Sequence, residues 1–193
     1  WGAAITVLPT LSDSPYFFNW HFGRGEAPGH TTISAKTGRG KSGTKNFLVA
    51  QSMKARPRVF DFDCDRGSEV FCKAMRGRHS LLKMGMPSGM NPFALPDTTF
   101  NRSFLRRLIT MMVTTNGEVL STEDERRIQA AVAGNYEHEP HERNLLEIAP
   151  YLGTSRHDSM RARLQKWLPG GQYAGLFDNR EDRFNLSVDY CCF

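Results

Sequence analysis

The chain predicts an α/β fold that carries a phosphate-binding loop and an inserted helical segment. Three observations predict it. A glycine-rich, basic stretch at residues 35–42 stands between a short apolar run and a helix-forming run. A second short run, residues 58–62, follows that helix and leads into acidic residues. From Pro96 onwards the apolar residues adopt a period near 3.6 and hold it through four segments.

The glycine-rich stretch reads Ala35-Lys36-Thr37-Gly38-Arg39-Gly40-Lys41-Ser42 and is followed by Gly43. Before it, residues 30–34 read as a short buried strand; after it, residues 43–51 read as a helix. Strand, loop, helix is the order a Walker A loop requires, because successive backbone N–H groups and the positive end of the helix must converge on the nucleotide phosphates. Gly38 and Gly40 let the backbone curl without a Cβ in the way. Lys41 is the candidate catalytic residue, expected on the β- and γ-phosphates of ATP, and the Ser42 hydroxyl is expected to ligate Mg²⁺. Ala35 stands where glycine is usual, at a position that only starts the turn. A chance basic turn, or a genuine loop that binds without hydrolysing, would carry the same residues.

At 193 residues the chain is long enough for one α/β domain with a small helical insert. A mean hydropathy of −0.47 describes a soluble globular protein. No run reaches transmembrane length and no signal peptide opens the sequence. A start at Trp1 is expected of a piece of something longer. With 25 Lys and Arg against 20 Asp and Glu the net charge is +5. The basic residues are spread over several helices and read as solvated faces. Cys64, Cys72, Cys191 and Cys192 lack metal-ligand spacing and read as free thiols in a reducing compartment.

In chain order, residues 4–8 and 16–22 read as two strands joined by a turn rich in proline and serine, and residues 23–29 as a mobile connector. Beyond the loop helix, Pro57 precedes a strand at residues 58–62, expected parallel to residues 30–34 through a right-handed crossover. Asp63, Asp65 and Arg66 follow at its carboxyl end, where ligands of α/β sheets sit. One aspartate could orient water or Mg²⁺; equally, Asp65 or Ser68 could cap the short helix expected over residues 68–75. Residues 79–82 read as a third strand and residues 84–93 as loop. The four helices are marked by Leu105, Leu108, Ile109 and Met112; by Ile128, Ala131, Val132 and Tyr136; by Leu145, Ile148, Ala149 and Leu152; and by Met160, Leu164, Trp167 and Leu168. Thr122 with Glu125, and Asp158, are expected as caps. Residues 184–190 read as a returning strand. The divisions expected are an N-terminal β-hairpin and connector (1–28), a P-loop α/β core (29–95), an all-α insertion (96–170) and a return to the core sheet (171–193).

Several stretches occur together in one order: Ser14-Pro15-Tyr16-Phe17-Phe18, Gly29-His30-Thr31-Thr32-Ile33 before the loop, Asn46-Phe47-Leu48-Val49-Ala50-Gln51 after it, Phe62-Asp63-Cys64-Asp65-Arg66-Gly67, Asn91-Pro92-Phe93, Leu120-Ser121-Thr122-Glu123, Pro169-Gly170-Gly171 and Leu176-Phe177-Asp178-Asn179. Together they resemble the CagE/TrbE/VirB family, the large ATPases of bacterial type IV secretion and conjugation systems. The resemblance implies a RecA-like P-loop NTPase core, partial in this chain, with an inserted all-α subdomain. It also implies ATP and Mg²⁺ as cofactors, other secretion-system subunits as partners, and homo-oligomerisation as a dimer or hexamer. The place implied is the cytoplasmic face of the inner membrane, and the activity is ATP hydrolysis that powers pilus biogenesis and transfer of protein or DNA. Ala35 and Lys36 replace the Gly-Pro usual in that family, and Arg39 sits where a small residue is common. The family's later acidic strand and arginine finger are expected beyond Phe193.

Two other readings stay open beside this one: a nucleotide-binding assembly scaffold without efficient hydrolysis, for which Ala35 and Arg39 speak, and a P-loop kinase with a helical lid. DNA contact through Arg102, Arg106, Arg107, Arg161, Arg163 and Lys166 is a further possibility, set against the reading of these residues as a solvated helix face.

Overall fold

A computed structural model describes residues 4–21, 29–115, 118–154, 159–184 and 186–193. The chain forms two compact units, Trp1–Ser80 with Leu186–Phe193, and Leu81–Asn185. The all-α insertion expected over residues 96–170 falls inside the second unit. Of the connector expected at 23–29, all but Gly29 lies outside the described residues.

The first unit opens with an antiparallel hairpin, β1 (Thr6–Pro9) and β2 (Pro15–Phe18), registered with Thr6 opposite Phe18 and Pro9 opposite Pro15. Its turn is tied by hydroxyls: Thr10 Oγ1 lies 2.7 Å from Ser14 Oγ and 3.0 Å from Ser12 Oγ. Below β2, the Phe18 and Trp20 rings meet edge to face at 5.0 Å, and the Trp20 indole N–H donates to Ser52 Oγ at 2.5 Å. This bond fastens the segment after the hairpin to the end of α1 (Lys41–Ser52).

The core sheet has three parallel strands in the order β3 (Val59–Asp61), β5 (Tyr190–Cys192), β4 (Arg78–His79). β5 is central and all three of its residues are buried, as a parallel strand covered on both faces requires. Backbone bonds from Val59 N–H to Asp189 O and from Phe193 N–H to Asp61 O extend its pairing with β3. α2 (Glu69–Ala74) packs Cys72 and Phe71 against Tyr190, the two rings meeting at 5.7 Å. Gly77 passes so close to this strand that a Cβ there would stand 2.7 Å from the Tyr190 carbonyl oxygen.

Three sequence expectations are corrected here. Residues 30–34 form no strand; they are exposed apart from half-buried Ile33 and pair with no described strand. The parallel partner of β3 is therefore β5, so the expected crossover from residues 30–34 is not made. The returning strand lies at Tyr190–Cys192 rather than 184–190, and the third at Arg78–His79 rather than 79–82, with Leu81 and Leu82 exposed.

The second unit is helical: α3 (Thr99–Val113), α4 (Thr122–Asn135), α5 (Leu145–Ile148) and α6 (Met160–Leu164), the last two each continued by a 3₁₀ turn. Each begins with a side-chain cap, Thr98, Ser121, Asn144 and Ser159 respectively, accepting the backbone N–H of the residue three positions on. Ser121 rather than Thr122 does this for α4; Asp158 lies outside the described residues. The apolar faces read from the sequence converge on one core in which Leu105, Ile109, Ile128, Val132, Leu145, Ile148, Leu152 and Leu164 are shut off from solvent. α4 and the turn after α5 approach closely at Gly134, where a Cβ would lie 2.3 Å from the Tyr151 hydroxyl. Before α3, buried Asn91 accepts the Phe93 N–H at 3.1 Å and donates to the Arg143 carbonyl at 2.7 Å, seating Phe93 in the core.

Replacing fully buried Ile109 with alanine should cost about 2–5 kcal/mol of unfolding free energy in this unit. Replacing Phe100, on the far face of the same helix, should change it by less than about 0.5 kcal/mol. Urea unfolding of both variants followed by circular dichroism checks the contrast.

Candidate nucleotide-binding site

α1 is launched from residues 35–40, all of them exposed. Gly38 (φ 78°) and Gly40 (φ 85°) both take the left-handed backbone that side chains disfavour, and Gly40 is the residue from which the helix starts. The Arg39 N–H donates to the Lys36 carbonyl at 3.2 Å, closing the turn. Unlike the four helices of the other unit, α1 has no side-chain cap, and its first turn holds no carboxylate. The first amides of a helix lack intrahelical acceptors and carry its positive end. Among the described residues no group answers the first amides of α1, and a Cβ added at Gly38, Gly40 or Gly43 would meet no atom within 4 Å. The loop is open to solvent and ends at the positive end of a helix, an arrangement of the kind that takes phosphate.

Within it Lys41 reaches back across the loop, its Nζ donating to the Ala35 carbonyl at 3.0 Å. Ser42 is exposed in the first turn of α1. The sequence expectation gathered Ala35, Lys36, Thr37, Gly38, Arg39, Gly40, Lys41, Ser42 and Gly43 here, and the backbone brings these nine residues together as one loop and helix start.

The acidic residues expected beside the loop are engaged elsewhere. Asp63 accepts the Ser68 N–H at 2.5 Å and the Asp65 N–H at 3.3 Å, so it caps the turn before α2, a role the sequence offered to Asp65 or Ser68. Asp65 and Arg66 are exposed on that turn, Arg66 in left-handed backbone. Among the described residues no hydrogen bond or ion pair joins Asp63, Asp65 or Arg66 to residues 35–43.

A network that sequence reasoning did not assemble lies one helical turn past Lys41. Lys45 Nζ donates to both oxygens of Asp61, at 2.8 and 2.7 Å, and to Ser68 Oγ at 2.6 Å. Tyr190 donates its hydroxyl to Asp61 Oδ2 at 2.6 Å. Burial alone would raise the Asp61 pKa, but the hydrogen bonds from Lys45, Tyr190 and Ser68 and the Lys45 charge outweigh it, and the carboxyl titrates below its ordinary 3.8. Burial and the neighbouring carboxylate hold the Tyr190 hydroxyl protonated far above its ordinary range. Burial likewise pushes the Cys192 thiol up to about 11, so this sulfur is a packing group at neutral pH. The signals in sequence were the spacing of Lys45 from Lys41, four residues along one helix face, and an aspartate ending β3.

No family model matches the chain. The type IV secretion system protein virB4 of Bartonella quintana is 36% identical over 192 residues, 98% of this chain and 24% of that protein. Protein virB4 of Agrobacterium fabrum is 32% identical over 192 residues, 96% of this chain and 24% of that protein. A solved structure of VirB4 of Thermoanaerobacter pseudethanolicus matches all of this chain and 57% of its own with a TM-score of 0.67 at 17% identity, a likeness of fold. These likenesses show an α/β and helical architecture shared with a VirB4 structure, and place the chain beside proteins named for type IV secretion systems. It belongs to the VirB4 family, and it spans about a quarter of the length of the curated relatives it matches.

Because the Asp61 carboxyl is depressed in the folded state, its contribution to stability is full above the unfolded value near 3.8 and is lost as pH falls through the folded value. Asp61→Asn should therefore lower the urea midpoint at pH 7, and the gap from the parent chain should narrow progressively below about pH 4. A gap that stays constant down to pH 2 would show that Asp61 carries no such linkage.

Proposed function

We propose that this chain is the nucleotide-binding part of a type IV secretion ATPase, a RecA-like P-loop core with a helical insertion that works with other secretion-system subunits. The observation that carries this reading is the uncapped start of α1 behind a loop turned by two left-handed glycines. Those residues fit the triphosphate of ATP: Lys41 would leave the Ala35 carbonyl for the phosphates, the amides of Gly40 to Gly43 would line them, and the Ser42 hydroxyl would hold Mg²⁺. ATP with Mg²⁺, when bound, supplies the scissile anhydride and the metal charge that offsets its oxygens. The chain's own task is binding and alignment, with Lys41 placed where negative charge develops. Family membership supports secretion-system partners, a homo-oligomer, and a place on the cytoplasmic side of the inner membrane; no described helix is long and apolar enough to cross a membrane.

One observation favours binding without rapid turnover by this chain itself. Asp61 is held by Lys45 and Tyr190, and Asp63 by the turn before α2, so neither carboxylate adjoining β3 is free to orient an attacking water. Hydrolysis would then draw on groups from elsewhere in the longer protein or from a neighbouring subunit.

Titration with Mg²⁺-ATP tests the reading. Lys41→Ala should weaken binding about 10- to 100-fold, the loss of a charge-assisted hydrogen bond to phosphate, with circular dichroism and unfolding midpoint unchanged because Lys41 is exposed. Equal affinity in the variant and the parent chain would refute the site.

A further inference from the structure

α3 and α4 enclose a groove of about 380 Å³. Ser103, Arg106, Arg107 and Thr110 line it from α3, on one face of that helix, and Glu125 and Gln129 line it from α4, one turn apart. Both guanidinium groups are unpaired: among the described residues neither Arg106 nor Arg107 makes a hydrogen bond or an ion pair, whereas Arg102 on the same helix is held by Asp97 at 2.5 and 2.7 Å. The Arg106 Nε is also withdrawn from solvent and has no acceptor. A charged donor shut away from water and left unanswered is costly, and native structures seldom keep one without a reason. Glu125 shares the groove, yet it forms no ion pair with either arginine.

The donors present select the shape of the missing acceptor. A carboxylate holds two oxygens in one plane, and a single bidentate guanidinium satisfies them. This groove gathers two guanidinium forks, the hydroxyls of Ser103 and Thr110 and the amide of Gln129 around one space. That set has more donors, from more directions, than a planar anion can use, and it suits a tetrahedral group with three or four oxygens. With two arginines against one glutamate the lining carries one net positive charge, so the group must be an anion. We propose that the groove between α3 and α4 is a binding site for a phosphate group, free or in a phosphate ester, held by Arg106 and Arg107. The site lies wholly within the helical unit and owes nothing to the glycine-rich loop, which belongs to the other unit. Glu125 acts against the anion and sets the upper limit of its affinity.

Titration of the chain with inorganic phosphate tests the site, in a Lys41→Ala background so that phosphate taken up by the glycine-rich loop does not enter the reading. Nitrogen-15 spectra of the arginine side chains resolve the groove directly. The Arg106 and Arg107 Nε–H signals should shift together and saturate with a Kd of about 1–10 mM, while that of Arg102, already held by Asp97, should stay in place. Arg106→Lys keeps the charge but loses the fork, and should weaken binding about tenfold. Glu125→Gln removes the like charge and should tighten it about threefold or more. In phosphate-free buffer Arg106→Met should unfold at the same urea concentration as its parent or a higher one, because it deletes an unanswered donor; a lower midpoint would make Arg106 a structural residue and count against the site. Glycerol phosphate binding more tightly than inorganic phosphate would assign the site to an ester, and the reverse order to the free ion. No movement of the Arg106 signal up to about 50 mM phosphate, or an equal movement with sodium chloride at the same ionic strength, would overturn the site.

Discussion

Asp61 sits at the end of β3 with its side chain largely withdrawn from water, and a carboxylate so placed must be answered by the protein. The answers come from three directions: Lys45 from α1, Tyr190 from β5, and Ser68, at the start of α2, through its bond to the same ammonium. Four elements are thus tied at one carboxyl group. The phosphate loop has few contacts of its own, so its position follows from α1, pinned by Lys45 near its start and by the Trp20–Ser52 bond at its end. The apolar core beside this network is small, Cys72, Tyr190 and Cys192 with a few half-buried neighbours. Polar contacts therefore carry more of the organisation here than in the helical unit, where sixteen buried residues form one cluster.

The helical unit was legible in the sequence because a 3.6-residue period over four segments is a strong signal and the core kept it almost intact. Only the cap of α4 shifted, from Thr122 to Ser121. Ser121 and Thr122 each precede an acidic residue by three positions, and nothing local decides between two adjacent hydroxyls. The strands were harder to read for opposite reasons. Residues 184–190 alternate apolar and polar as a half-exposed strand would, but the sheet centre needs residues buried on both faces, and these are the consecutive Tyr190, Cys191 and Cys192. Residues 30–34 hold β-branched threonines and an isoleucine, yet strand preference is a matter of packing on a half-buried surface, and four of these five residues are exposed.

At the site, the spacing of glycines and of Lys41 and Ser42 located the loop, since those residue types are set by backbone conformation and charge close at hand. The roles of the acidic residues were not legible. Whether an aspartate after a strand faces a ligand, a turn amide or a lysine depends on the neighbouring helix, and for Asp61 also on a tyrosine from the far end of the chain. The lysine's bond to Ala35 adds a fact no motif contains: this ammonium group already has a partner, which any ligand of the loop would have to displace.

The place of β5 has a consequence for the order of assembly. Among the described residues β3 and β4 each pair with β5 and not with each other, and the whole helical unit lies between them and it in sequence. As the chain is synthesised, Phe60 and Arg78 must wait for Cys191, while the helices close on contacts mostly local to themselves. The helical unit can thus reach its native form first, leaving the phosphate-loop unit without its middle strand until the last residues of this segment arrive. During that interval two parallel strand edges and the apolar side of α2 are open to wrong partners, so errors of biogenesis should concentrate in the unit that carries the glycine-rich loop.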